Sequence, residues 1–196
     1  TLLLYGNTLG YDFAFDDLGL VRDNPLVHRF DLIEIATSDY WAGYHSDRSG
    51  LYRPLTVLSF AALHAGGGGT PFLQHLANVL VHGANAVLLY LLFSSLANHR
   101  LAAATALIFA CHPALSEAVA GIAGRADLLA VFFGLAALLA HTRPDRGKAT
   151  GLWVATLFGV ALLCKESAVV LLGLLPLTDV IQYRLFSRKI HWIPHL

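Results

Sequence analysis

From residue 71 onward the chain is a succession of apolar blocks cut by short charged turns. PFLQHLANVLVHGANAVLLYLLFSSL ends at ANHR, RLAAATALIFACHPALSEAV near GIAGR, and ADLLAVFFGLAALLAH at TRPDRGK. ATGLWVATLFGVALLC then ends at KES, and AVVLLGLLPLTDVIQ at YRLFSRK. Blocks of this length do more than fill a core. A segment approaching roughly 20 apolar residues is long enough to cross a bilayer as a helix. Only 13% of the residues are charged and 56% are hydrophobic, with a mean hydropathy of +0.60. Soluble domains carry roughly 25% charge. The sequence therefore predicts an all-α, polytopic transmembrane helix bundle that forms an integral membrane protein.

The charge balance narrows the function. A formal net charge of +0 gives no electrostatic footprint for nucleic acid, and no such partner is expected. Cys111 and Cys164 both lie inside apolar blocks, so no disulfide framework is predicted.

Residues 1–10, TLLLYGNTLG, read as the outer end of a first transmembrane helix, because no basic region precedes them as in a signal peptide. The chain begins with Thr, contains no Met and stops at a short tail, 190–196, so further protein is expected on both sides. Residues 11–51 form an outer acidic loop. It holds a turn at Asn24-Pro25 and a short interfacial helix with Leu32, Ile35, Ala36, Tyr40 and Trp41 on its apolar face. Residues 52–70 have an apolar run too short to span and are predicted as a re-entrant or interfacial helix with a Gly-rich turn. About five transmembrane helices fill 71–189.

The turns sort by charge. Arg100, then Arg143, Arg146 and Lys148, then Arg184, Arg188 and Lys189 fall on alternate connections, which the positive-inside rule makes cytoplasmic. The opposite side then gathers Asp16, Asp17, Glu117, Arg125, Asp127, Lys165 and Glu166 from parts of the chain far apart in sequence.

Each of these has a plain reading beside a chemical one. Asp16 and Asp17 fit a solvated loop or a helix cap. As adjacent carboxylates at a membrane edge they also fit a general base, or a divalent cation bridging the two. Glu117, Arg125 and Asp127 fit an interhelical turn. Yet Glu117 follows Pro113 in apolar surroundings, where a carboxylate turns toward protein or a cavity. Lys165 and Glu166 fit a hairpin with snorkelling charges, or an ammonium aimed at an anionic head group. His75, Asn78, His82 and Asn85 share one helix face, and their spacing favours interhelical hydrogen bonds or a polar wall over a metal site. No resident metal is expected from the motifs.

The blocks FAFDD…VRDNPLV, YRPLTVLSF, HLANVLVHGANAVLLYLL, HPALSEAVAGIAGRADLLA and CKESAVVLLGLLPLTDV resemble, in order and spacing, the membrane half of the TMTC family, the transmembrane and tetratricopeptide-repeat proteins. That family is similar in architecture to protein O-mannosyltransferases and other GT-C glycosyltransferases. The resemblance implies part of a GT-C-like membrane domain, residing in a bacterial inner membrane or the endoplasmic reticulum. It implies transfer of a sugar from a polyprenyl-phosphate carrier to Ser or Thr of an acceptor protein. Asp16 would be the base and Asp17 its positioning partner. Arg53, Arg125 and Lys165 would face the leaving phosphate, with Glu117, Asp127 and Glu166 in support. Tetratricopeptide repeats are absent from this stretch, and Asp127 stands where similar sequences more often have Glu. A transporter or flippase of lipid-linked substrates and a non-catalytic scaffold remain the alternatives.

Overall fold

The computed structural model describes residues 1–44, 49–67, 69–143 and 147–190. Arg146 and residues 191–196 of the expected tail lie outside the described residues. Among those described, the helices are α1 Leu2–Tyr5, α2 Pro25–Arg29, α3 Leu32–Thr37, α4 Pro54–Gly67, α5 Pro71–Leu96, α6 His99–Cys111, α7 Ser116–Ala120, α8 Arg125–His141, α9 Lys148–Cys164 and α10 Leu171–Ile190, joined by short 3-10 or π turns and irregular segments.

Three helical segments are long and apolar enough to cross a membrane: Pro71–Leu96, Ile122–His141 and Glu166–Arg184. His99–Cys111 and Pro113–Ala120 make a fourth span if the pair, bent by 52°, is taken as one. Pro113 accounts for the bend. It offers no N–H and pushes the residue before it out of helical geometry, and His112 is extended at φ −68°, ψ 124°. The His112 Nδ1 accepts the N–H of Ala114 and caps the next turn. The 17 residues of α9 form a shorter apolar helix.

The acidic loop is folded rather than loose. Asn24 caps α2 by accepting the Leu26 N–H, and Asp31 caps α3 through the N–H groups of Ile33 and Glu34. The interfacial helix is only six residues long. Ile35 and Tyr40 face the protein, in a core with Leu20, Val21, Val27 and the α4 residues Val57 and Phe60, while Leu32 and Ile33 stay exposed. The membrane-surface face read from the sequence is thus divided between protein and surroundings. At 14 residues, α4 is about 21 Å long, short of a bilayer's roughly 30 Å. It packs inside the bundle, and its Thr56 hydroxyl donates to the Cys164 carbonyl.

With the bent α6–α7 pair taken as one segment, successive long helices from α5 to α10 run in opposite directions, so the bundle has two ends. Helix α5 meets α6 at Tyr90/His99 and His82/Ala110, but α8 at Asn85/Leu128 and Ser95/Thr142. One carries the start of α8 and the α9–α10 junction. The other carries the Arg100, Arg143 and Lys148 turns and is tied by His141 to Asp179 (3.0 Å) and by Gln182 to the Thr142 carbonyl (3.1 Å). Through the middle runs a buried polar face of α5: Gln74, His75, Asn78, His82 and Asn85 are at most 1% exposed. Asn78 donates to the Gly121 carbonyl, Asn85 to that of Leu128, and His82 pairs with that of Ala110. These side chains hold carbonyls on neighbouring segments, which suits an apolar interior where an unpaired backbone group is costly. The break before α8 needs Gly124, since a Cβ there would sit 2.3 Å from the Ala118 carbonyl oxygen.

Candidate functional site

The acidic pair lies on a tight turn. The Asp17 N–H donates to the Ala14 carbonyl (3.0 Å), and the Asp17 Oδ2 accepts the Ala14 N–H (3.4 Å). The other oxygen, Oδ1, accepts the Ala123 N–H at 2.8 Å, across 106 residues of sequence. Asp17 is therefore buried and pins the loop to the short turn just before α8, whereas Asp16 beside it is exposed. Burial raises the Asp17 carboxyl above its ordinary range, outweighing the N–H groups that hold its charged form. Phe15, just before, has φ +50°, a strained conformation for a bulky side chain that costs about 1–3 kcal/mol. One carboxylate is buried and its neighbour exposed. Among the described residues no group of three or more His, Cys, Asp or Glu is arranged to hold a metal ion.

Facing this turn, two ion pairs share the α9–α10 junction. Lys165 is extended at φ −157°, ψ 136°, which ends α9 and sends adjacent side chains to different partners. Lys165 Nζ reaches both oxygens of Asp127, at 2.6 and 2.7 Å. Glu166 takes a two-pronged contact from Arg53, Nε to Oε2 at 2.9 Å and Nη2 to Oε1 at 2.5 Å. Arg53 precedes α4, and its guanidinium lies 4.9 Å from the centre of the Tyr40 ring. Tyr40 is 3% exposed, and burial pushes its phenol up to about 12. Arg53 opposes that shift, while Asp16 and Asp127 both lie close enough to add to it. Tyr40 thus marks the point where the acidic turn meets the ion pairs.

Arg125 is placed differently. It is 1% exposed and turned into the bundle. Its guanidinium donates to Asn78 Oδ1 (2.7 Å), to Gln74 Oε1 (2.9 Å) and to the Gln74 carbonyl (2.5 Å), and lies 5.0 Å from the centre of the Phe60 ring. These hydrogen-bond acceptors are all neutral. Glu117, on α7, is exposed and has no bond to the other candidates among the described residues.

Beneath the Asp127–Lys165 pair, a groove of about 170 Å³ runs between α8 and α10, lined by Asp127, Ala130, Gly134, Ser167, Leu171 and Leu174. It is polar at the Asp127 end and apolar along its length.

Of the residues read from sequence, Asp16, Asp17, Arg53, Asp127, Lys165 and Glu166 meet at one end of the bundle, and Arg125 sits behind them. Tyr40 and Gln74 had not been singled out as site residues. Gln74 was legible as one more polar member, four residues before Asn78, on the same helix face. For Tyr40 the sequence signal was its place on the apolar face of the interfacial segment, which marks burial and not a site.

The fold and site define an all-α integral membrane protein with an acidic turn and paired cations at one end of the bundle, beside an apolar groove. The chain belongs to the dolichyl-phosphate-mannose-protein mannosyltransferase family, whose sequence profile matches residues 59–194. It is 36% identical over 185 residues to "Protein O-mannosyl-transferase Tmtc1" of Drosophila melanogaster, covering 91% of this chain and 22% of that protein. It is 36% identical over 200 residues to "Protein O-mannosyl-transferase TMTC2" of Mus musculus (96% and 24%), and 33% over 178 residues to "Protein O-mannosyl-transferase TMTC3" of Homo sapiens (87% and 20%). The chain therefore spans less than a quarter of the length of these three relatives. The resemblance to the TMTC family read from the ordered motifs agrees with these matches. No solved structure matches the chain.

Proposed function

We propose that this chain is part of a GT-C-type glycosyltransferase. The enzyme moves a sugar, mannose by analogy with its named relatives, from a polyprenyl-phosphate carrier to Ser or Thr hydroxyls of an acceptor protein. The observation that carries the reading is the exposed Asp16, fixed by the buried Asp17 and set against the Tyr40–Arg53 and Asp127–Lys165 groups.

In this mechanism Asp16 takes the proton of the acceptor hydroxyl. The hydroxyl oxygen attacks the anomeric carbon as the bond from that carbon to the phosphate oxygen breaks. The electron pair leaves on the carrier phosphate, and the configuration inverts. Arg53 and Lys165 stabilise that phosphate as its charge grows. Their carboxylate partners Glu166 and Asp127 are about half exposed, so the phosphate can take their place as counter-ion without stranding a buried acid. Arg125 supports the site by tying the start of α8 to Gln74 and Asn78 on α5 and not by contact with the phosphate. The carrier's chain lies in the groove between α8 and α10. Residues 11–51 face the outer or lumenal side, with Arg100, Arg143 and Lys148 in the cytoplasm.

The test is transfer of mannose from polyprenyl-phosphate mannose to a Ser/Thr peptide by the purified full-length protein in detergent, with and without EDTA. Detergent removes the two membrane sides, so a flippase gives no product there. Loss of product in EDTA, restored by a divalent cation, would assign Asp16 a cation as well.

A further inference from the structure

The turn that carries Asp16 has a side chain for which the mechanism has no use. Phe15 is 94% exposed and holds φ +50°. Two residues earlier, Phe13 packs against the apolar core beneath the loop, so burial is within reach of this segment. The base of the turn is clamped on both sides, by the reciprocal Ala14–Asp17 bonds and by the Asp17–Ala123 bond. Phe15 and Asp16 therefore stand together at a tip that cannot turn over independently of the bundle.

We propose that Phe15 is the seat on which an acceptor polypeptide lays an apolar side chain next to its reacting hydroxyl, an inference that rests on Asp16 being the base. A hydroxyl that gives its proton to Asp16 must come within about 3 Å of the carboxylate. Asp16 and Phe15 are exposed neighbours on the clamped tip, so a hydroxyl that reaches Asp16 from the surroundings comes in beside the Phe15 ring. The occupant is a polypeptide and not a lipid surface. Asp12 and Asp16, both exposed, lie on either side of Phe15, and Arg22, which feels Asp12, is committed to Asp23. The rim is net negative and repels anionic head groups. Sinking the ring into hydrocarbon would also draw the neighbouring carboxylate in with it. A peptide with an apolar residue for the ring and a Lys or Arg for the acidic rim matches both features.

The experiment measures fluorescence anisotropy of two labelled peptides on the purified full-length protein in detergent. One has Val beside the Thr and a Lys next to it, and the other has Gly in place of the Val. The wild type binds the Val peptide more tightly. Phe15→Ala weakens that peptide about tenfold, leaves the Gly peptide unchanged, and does not alter binding of polyprenyl-phosphate mannose. Phe15→Gly relieves the positive φ, so it folds at least as stably and shows the same selective loss. Equal affinity of the wild type for both peptides, or equal loss of both in the variants, overturns the proposal. So does a variant that loses activity only in proteoliposomes with its peptide affinity intact, which would make Phe15 a membrane anchor. Phe15-dependent peptide binding without any sugar transfer supports the seat while removing the glycosyltransferase reading.

Discussion

Arg53 and Glu166 are 113 residues apart in sequence, yet the guanidinium forks onto the carboxylate at 2.9 and 2.5 Å. The contact ties the start of α4 to the α9–α10 junction. One peptide bond away, Lys165 is tied to Asp127 on α8. Two cations are thereby held at the same end of the bundle, with counter-ions that water can reach.

If those cations serve a phosphate, the expected result for Lys165→Gln and Arg53→Gln is a folded protein with weakened donor binding. A charged hydrogen bond is worth about 1.5–3 kcal/mol, or tenfold and more in affinity. Arg143→Gln, at the other end of the bundle, is expected to leave binding unchanged. Titrating polyprenyl-phosphate mannose onto each purified variant decides it. Unaltered affinity in both Lys165→Gln and Arg53→Gln removes the phosphate role.

Asp16→Asn keeps size and hydrogen bonding but removes the base. Because Asp16 is exposed, the thermal midpoint should not move. Transfer should fall by about 10²–10⁴. A rate within a factor of two of wild type rules Asp16 out.

Asp17 gives a pH signature. Its carboxyl is raised in the fold by burial, against the N–H donors of Ala123 and Ala14. An acid with a raised folded pKa binds its proton more tightly in the fold than in the unfolded chain. Its contribution to stability is therefore full below the ordinary carboxylate range and is lost as pH rises through the raised value. Asp17→Asn still accepts the Ala123 N–H through its one amide oxygen, gives up the longer Ala14 contact, and stays neutral. The difference in midpoint between wild type and Asp17→Asn should move against the wild type as pH rises across that window. A flat difference contradicts the burial argument. Asp17→Ala leaves the Ala123 N–H without its partner, at about 1–3 kcal/mol, and should lower the midpoint at any pH.

Arg125→Gln is expected to unfold the protein more readily and not to weaken donor binding selectively. Gln74 and Asn78 would lose their donor, at about 1–3 kcal/mol for each buried group, a fall in midpoint of roughly 5 °C or more. A variant with wild-type midpoint and reduced donor affinity would show that Arg125 touches the phosphate.

The topology is open to labelling with an impermeant thiol reagent, in a background with Cys111 and Cys164 replaced. Arg29→Cys, exposed on the acidic loop, should react from outside, and Lys148→Cys, exposed at the other end, should not. The reverse pattern overturns the assigned sides and with them the site.

The helical membrane bundle could be read from the chain alone, because bilayer thickness imposes block length and apolar content on each span independently of its neighbours. The alternation of Arg100, Arg143 and Lys148 with the acidic turns was equally local, so the grouping of Asp16, Asp127, Lys165 and Glu166 at one end followed from counting crossings. The tertiary structure decided what each charge does there. Nothing in the adjacency of Asp16 and Asp17 says which is buried; the Ala123 N–H decides, from 106 residues away. Nothing in the spelling of Arg125 separates it from Arg53. The first enters a bundle where Gln74 and Asn78 absorb its donors, and the second meets Glu166 and the Tyr40 ring near the surface. Membership of a span is a property of a short window of residues. The partner of a charge depends on which distant segments pack beside it, and that is settled only when the helices come together.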